Sequence, residues 1–240
     1  MRDMPTTAPA DAPAPGRRAG RRPWSRRLTT WIGLAMVAGG LGMLGYVGWQ
    51  FWGTNWTSQR AQAEVTGELQ RQWERGGEQL APKYLPEGSA SALIRIPKFG
   101  DDYVVPVLEG MSDEVLSSGY GHFRDTADPG EVGNYALAAH RVTHGEPLRR
   151  MPELRPGDEV IVETAEATFT YELDTDPNEL VIPFTGVWVL DDVPRNPDGG
   201  VQPAQEAGQR LITLTTCSEL FHTDDRMIAF GHLVDRQPKT

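Results

Sequence analysis

The chain contains a single cysteine, Cys217, at the end of the run LITLTTC, residues 211–217. A cysteine acts as a nucleophile through its thiolate, and a free thiol with a pKa of about 8.5 needs a nearby cation or general base to react well at neutral pH. Arg226, nine residues on, lies in the run RMIAFGHLV, which a return through residues 218–225 can bring back beside the sulfur. His140 ends another apolar run, NYALAAH, and is followed by Arg141 and the polar turn VTHGEP. Both runs read as strands, so Cys217 and His140 each stand at a strand mouth, where an imidazole and a guanidinium can activate a thiol for nucleophilic catalysis. Plainer roles compete: a lone cysteine packs like a small hydrophobe, and a histidine at a strand end can be a hydrogen-bonded structural residue. His144 in the turn, His222 in the return and His232 in the last strand read as solvated or structural. No histidine pair has metal-ligand spacing with further ligands nearby, so a zinc site is not expected.

The elements that must position these residues are β-rich. Ile212, Leu214 and the β-branched Thr213, Thr215 and Thr216 favour a pleated strand before the cysteine. Turn signals separate eight such runs: Leu93–Ile96, Tyr103–Leu108, Asn134–Ala139, Glu159–Glu163, Thr168–Asp174, Gly186–Leu190, Arg210–Thr216 and Arg226–Val234. That many short strands in one domain predict a mostly β fold, a closed or nearly closed barrel. Asp113–Ser118 and Pro147–Leu154 are the best short helices. The segment Asp191–Gly208 reads as a long surface loop beside the cysteine strand, expected to be mobile and part of a substrate groove.

The rest of the chain is organised around a membrane. Seven arginines against Asp3 and Asp11 give residues 1–27 a net charge of +5, so the remainder carries −15 of the overall −10. An acidic body argues against nucleic acid as a partner, because phosphate binding needs clustered Lys and Arg. Residues 28–52 contain no charge, and Trp31–Trp52 is 22 residues long, enough for the roughly 20 that span a bilayer. Arginines before this span and Trp49, Trp52 and Trp56 at its far end predict a cytoplasmic N-terminus and an outer C-terminal body. A cleaved signal peptide is the alternative, with an apolar core of about 7 to 15 residues. The domain plan is therefore a disordered basic tail (1–27), a transmembrane helix (28–52), a stalk and linker (53–90), a catalytic domain (91–236) and a short tail (237–240). A juxtamembrane helix over Gln59–Gln79 fits the stalk.

NYALAAHR, TLTTC and an arginine nine residues past the cysteine together resemble the sortase family, over about Ala92 to Val234. The approach DTADPGEVGNYALAAHRVTHGEPL is most similar to class E sortases of high-GC Gram-positive bacteria. The resemblance implies a closed eight-stranded sortase-type β-barrel and a cofactor-free cysteine transpeptidase. Cys217 would attack the Thr-Gly carbonyl of a C-terminal sorting signal, of Leu-Ala/Pro-x-Thr-Gly type, to give a thioester. His140 would protonate the leaving amine and then deprotonate the incoming one, and Arg226 would hydrogen-bond the oxyanion and the substrate backbone. The partners implied are secreted proteins bearing that signal, and an amine of a peptidoglycan precursor or a pilin lysine.

Three positions depart from the family pattern. Ala138-Ala139-His140 stands where relatives read Ala-Gly-His, Glu219 stands where a proline commonly follows the cysteine by two, and Phe123 replaces a tyrosine seventeen residues before the histidine. That tyrosine is associated with accepting Ala in the sorting signal, which makes Phe123, nearby Tyr120, Thr215 and Thr216 the candidate substrate-binding residues. A different wall cysteine transpeptidase would be expected to show a Ser-His-Gly-Cys cluster, which is lacking here. A membrane-anchored barrel that only binds wall or protein ligands is the remaining class.

Overall fold

A computed structural model describes residues 24–49, 53–76, 82, 85–217 and 224–239, with the backbone alone described at 24–26 and at Cys217. The chain divides into two units, residues 1–45 and 46–240. The first carries most of helix α1 (Trp24–Gly48). Its stretch Arg27–Gly48 has a mean hydropathy of 1.5, and its large apolar side chains, Trp31, Met36 and Leu44 among them, are exposed. That length and composition suit a membrane anchor or a signal sequence alike. Residues 50–52 of the expected span lie outside the described residues.

In the second unit, helix α2 (Thr54–Glu74) precedes nine strands. These are β1 (Ala90–Arg95), β2 (Val105–Glu109), β3 (Tyr120–His122), β4 (Gly133–Ala138), β5 (Glu159–Glu163), β6 (Ala167–Leu173), β7 (Val181–Pro183), β8 (Arg210–Cys217) and β9 (Asp225–Pro238). Eight of them close in the order β6-β5-β1-β2-β3-β4-β8-β9, with β9 returning to β6, and β7 runs beside the start of β9. The expected eight-stranded closed barrel is the observed one. Closure leaves no long unpaired edge among these strands. Two pairings are parallel, β2 with β3 and β4 with β8; the others are antiparallel.

Side-chain alternation shows how the sequence builds this wall. Along β6, Ala167, Phe169, Tyr171 and Leu173 face inward while Thr168, Thr170 and Glu172 are more open, the two-residue period of a strand with one buried face. β2 is buried at all five positions, because α2 and helix α3 (Asp113–Ser118) cover its outer side. Ser112 caps α3 by accepting a hydrogen bond from the Val115 N–H, satisfying one of the donors a helix start leaves open.

The strand census differs from the sequence reading in three places: one expected strand is absent, and β3 and β7 lie outside the expected runs. Gly186–Leu190, expected as a strand, is a 3-10 turn over Val187–Leu190. Its Val and Trp content suits a strand, yet no edge of β9 is left for it: β8 takes one side, and β7 and β6 divide the other. The segment instead packs Val189 with Leu180, Ile228 and Phe230 on the outer face of β9. The eighth barrel strand is β3, three residues that carry too little pattern to be read from sequence. Pro147–Leu154 shortens to a 3-10 turn at Met151–Glu153, while β9 runs four residues beyond the expected Val234.

Candidate active site

Strand direction gathers the site. β4 and β8 run parallel, with Ala138 opposite Thr215, so both strands rise to one barrel mouth. Two residues past that pair come His140 and Cys217. Two bonds extend the pairing beyond the ladder: the Ala139 N–H donates to the Thr215 carbonyl at 3.2 Å, and the Thr216 hydroxyl donates to the Ala139 carbonyl at 2.7 Å. β9 starts at the same mouth, with Arg226 the register partner of Cys217. A thiol-bearing position, an imidazole and a guanidinium thus converge from three neighbouring strands.

A cleft of about 650 Å³ opens there. Arg141 and Arg226 bring positive charge to it and Asp113 a carboxylate, and His140, Thr215 and Thr216 also line it. Phe123, half-buried, contributes to one wall and also to a second, shallower depression beside it. The opposite wall is Ile182–Leu190, with Phe184 59% and Val187 65% exposed. This apolar wall beside two guanidinium groups suits an extended peptide with one or two apolar side chains. The wall lies just before the expected loop 191–208, whose first residue, Asp191, borders the second depression.

The candidate residues therefore divide. His140, Arg226, Phe123, Thr215 and Thr216 all line the cleft. Tyr120 does not: its side chain is fully buried, and its hydroxyl lies 2.7 Å from that of Tyr103, which donates to the Pro147 carbonyl at 2.9 Å. With the Tyr103 proton committed to that carbonyl, Tyr120 is the donor between the two rings. Burial pushes both phenols upward, so they remain neutral hydrogen-bond partners. They brace the histidine loop from beneath, one residue before Leu148, whose N–H returns to the His140 carbonyl at 3.0 Å. His222 and Glu219 lie outside the described residues. His232 is on β9 with Asp174 at 2.8 Å, away from the cleft. His144 stacks on His140 with ring centroids 4.7 Å apart.

Two buried polar groups near the site were not singled out from sequence. Asn134 on β4 donates to the carbonyls of Val189 and Asp191 and accepts from the Thr213 hydroxyl at 2.7 Å. It pins the cleft wall to the two parallel strands. His122 and Glu109 pair at 2.9 Å, both wholly buried, and the other imidazole nitrogen lies 3.2 Å from the Ala127 carbonyl and from the Thr126 hydroxyl. That pair fixes the turn that carries Phe123. An asparagine inside the apolar run NYALAA was the available signal for the first; His122 offered none.

Among the described residues no cluster of His, Cys, Asp and Glu is arranged to hold a metal ion. A cysteine position, an imidazole and a guanidinium brought to one mouth are the residue types that covalent acyl transfer needs.

Residues 94–234 match the family described as the sortase domain. Sortase SrtE1 of Streptomyces coelicolor is 37% identical over 222 residues, 87% of this chain, and the match spans 58% of that relative's length. The structure of sortase E from Streptomyces avermitilis superimposes with a TM-score of 0.55 at 39% identity, covering 64% of this chain and 93% of that one. Sortase E1 from Streptomyces coelicolor, solved with a tripeptide in its active site, gives a TM-score of 0.53 at 36% identity over 63% of this chain and 91% of that one.

Proposed function

The chain belongs to the sortase family, and from that premise we propose that it is a membrane-anchored cysteine transpeptidase acting on C-terminal sorting signals. The observation that carries this reading is the meeting of β4, β8 and β9 at one mouth, with Arg226 in register with Cys217 and His140 two residues beyond the β4–β8 pairing. The Cys217 sulfur attacks the carbonyl carbon between Thr and Gly of a Leu-Ala/Pro-x-Thr-Gly signal. A C–S bond forms as the C–N bond breaks, and His140 delivers its proton to the departing glycine amine. An amine of a peptidoglycan precursor, or a pilin lysine, then loses a proton to His140 and displaces the thiolate, leaving a new amide. Arg226 stabilises the oxyanion in both halves.

The apolar wall Ile182–Leu190 supports a peptide substrate, as does the tripeptide found in a relative's active site. Phe123 offers an apolar surface without a hydroxyl, so it contacts the residue before x by packing alone. Anchoring is supported by the apolar α1 and the arginines before it, which favour an inner N-terminus and an outer catalytic domain.

The test is to incubate the full chain in detergent with Ala- and Pro-containing sorting peptides and an amine, and to read products by mass. Cleavage between Thr and Gly with amine incorporation, and an acyl adduct on Cys217, are expected. Their absence, or their survival in Cys217→Ala, overturns the assignment, and peptide binding without turnover marks a binding protein instead. Protease added to intact protoplasts should remove the domain; full protection overturns the topology.

A further inference from the structure

Helix α2 has an unusual inward face. The positions turned toward the barrel are Asn55, Ser58, Gln62, Leu69 and Trp73, spaced as one helical stripe. The C-terminal half of this stripe is apolar and packs on the barrel in the ordinary way. The N-terminal half is polar, and two of its side chains are spent on the loop that follows His140.

That loop is conformationally demanding. Among the described residues, His144 and Glu146 are the two non-glycine residues with positive φ, at 55° and 53°, and Gly145 between them has φ 82°. Three consecutive left-handed residues persist only where the surroundings over-determine them, since a Cβ disfavours that region. α2 holds each of the three. Gln62 donates to the His144 carbonyl at 3.3 Å, Asn55 accepts from the Gly145 N–H at 3.1 Å, and Asn55 donates to the Glu146 carboxylate at 2.5 Å. Gln62 is 7% exposed, and a Cβ at Gly145 would stand 2.4 Å from its amide nitrogen, so the approach is close. From the far side of the clamp, the His144 ring lies on the His140 ring.

We propose that Asn55 and Gln62 are positioning residues for His140, acting through the left-handed segment 144–146, so that α2 is a working part of the active site. The inference rests on His140 being the proton carrier of the transpeptidase reading. Its consequence is that the chain segment joining the membrane helix to the domain sets the rate of proton transfer. Without the two amides the loop relaxes, His144 leaves its place on the imidazole, and His140 samples orientations from which it cannot reach the leaving amine.

The experiment uses the full chain in detergent micelles, with Asn55→Ala, Gln62→Ala and the double variant, and Glu64→Ala on the exposed face of α2 as control. The double variant is expected to lower kcat about ten- to a hundred-fold, in keeping with the cost of a small misplacement, with KM for the peptide nearly unchanged. Amide exchange at 144–146 should accelerate and the His140 ring should titrate at a shifted pH by NMR. Asn55→Asp combined with Glu146→Gln reverses donor and acceptor across the same contact and should restore most of kcat, which guards against a general folding defect. Unaltered kcat in the double variant overturns the proposal, as does a loosened loop with an unchanged His140 titration. If the unmodified chain turns over no peptide, the transpeptidase reading fails, and exchange with the titration still decides whether α2 positions the histidine.

Discussion

Cys217 and Arg226 are register partners across β8 and β9, the last residue of one strand opposite the second residue of the next. The pairing fixes the guanidinium-bearing position relative to the cysteine through backbone hydrogen bonds, independently of the return between the strands.

Arg226→Lys separates two roles for this residue. Lysine keeps the charge but loses the planar fork of donors. If the guanidinium clamps the oxyanion, kcat should fall by about 10² to 10³ while the protein stays folded by circular dichroism. Turnover close to that of the unmodified enzyme would reduce Arg226 to an electrostatic influence on the thiol.

Thr216 ties the two strands that lead to His140 and Cys217 by donating to the Ala139 carbonyl. Thr216→Val keeps the shape but leaves that buried carbonyl without its partner, a loss of about 1 to 3 kcal/mol. A lowered melting temperature is expected together with reduced kcat, because the same bond sets the height of His140. A variant with full activity and lower stability would show that the tie is structural only.

The Glu109–His122 pair has no exposed side-chain surface. Removing one member leaves the other's buried polar atom without its hydrogen-bond partner, so His122→Ala should cost at least about 1 to 3 kcal/mol, measured by urea denaturation. Glu109→Leu added to His122→Ala should recover part of the loss, since no buried polar group is then left unpaired. Equal instability of the single and double variants would show that packing, not the hydrogen bond, is what the imidazole contributes.

Alkaline pH should unfold the barrel cooperatively. Burial pushes the hydroxyls of Tyr120, Tyr135 and Tyr171 upward. Their folded pKa values lie above the unfolded value of about 10, so the stability they contribute is complete below that pH and is lost as pH rises beyond it. Tyrosinate absorbance from these three should therefore appear together with loss of the β-sheet circular dichroism signal. Smooth titration in an intact fold would contradict their burial.

The runs that became β4, β6 and β8 were legible because each is an apolar or β-branched stretch with a clear boundary. His140 and Cys217 could be read as neighbours because both end such runs. β3 was hidden by its brevity, and Val187–Leu190 was misread because composition alone does not say whether a sheet edge is free to receive a strand. Tyr120 illustrates a different limit: proximity in sequence to Phe123 gave no information about which of the two faces the barrel interior. The inward face of α2 escaped for a related reason. Its half-buried Asn55 and buried Ser58 and Gln62 look like solvent-facing residues to any test based on hydrophobic periodicity.

The parallel pairing of β4 with β8 has a consequence for how the molecule comes into being. Parallel neighbours cannot be joined by a tight turn, and here 71 residues separate Ala138 from Arg210. Such distant pairings carry a large loop-closure cost and slow the search for the native topology. As the chain emerges from the ribosome, the histidine strand is made long before the strand that bears the thiol, and β9, which supplies the arginine and seals the barrel, comes last. A nascent chain still lacking β9 therefore has its cysteine but neither Arg226 nor a closed barrel, so the proposed site is complete only once the barrel has sealed.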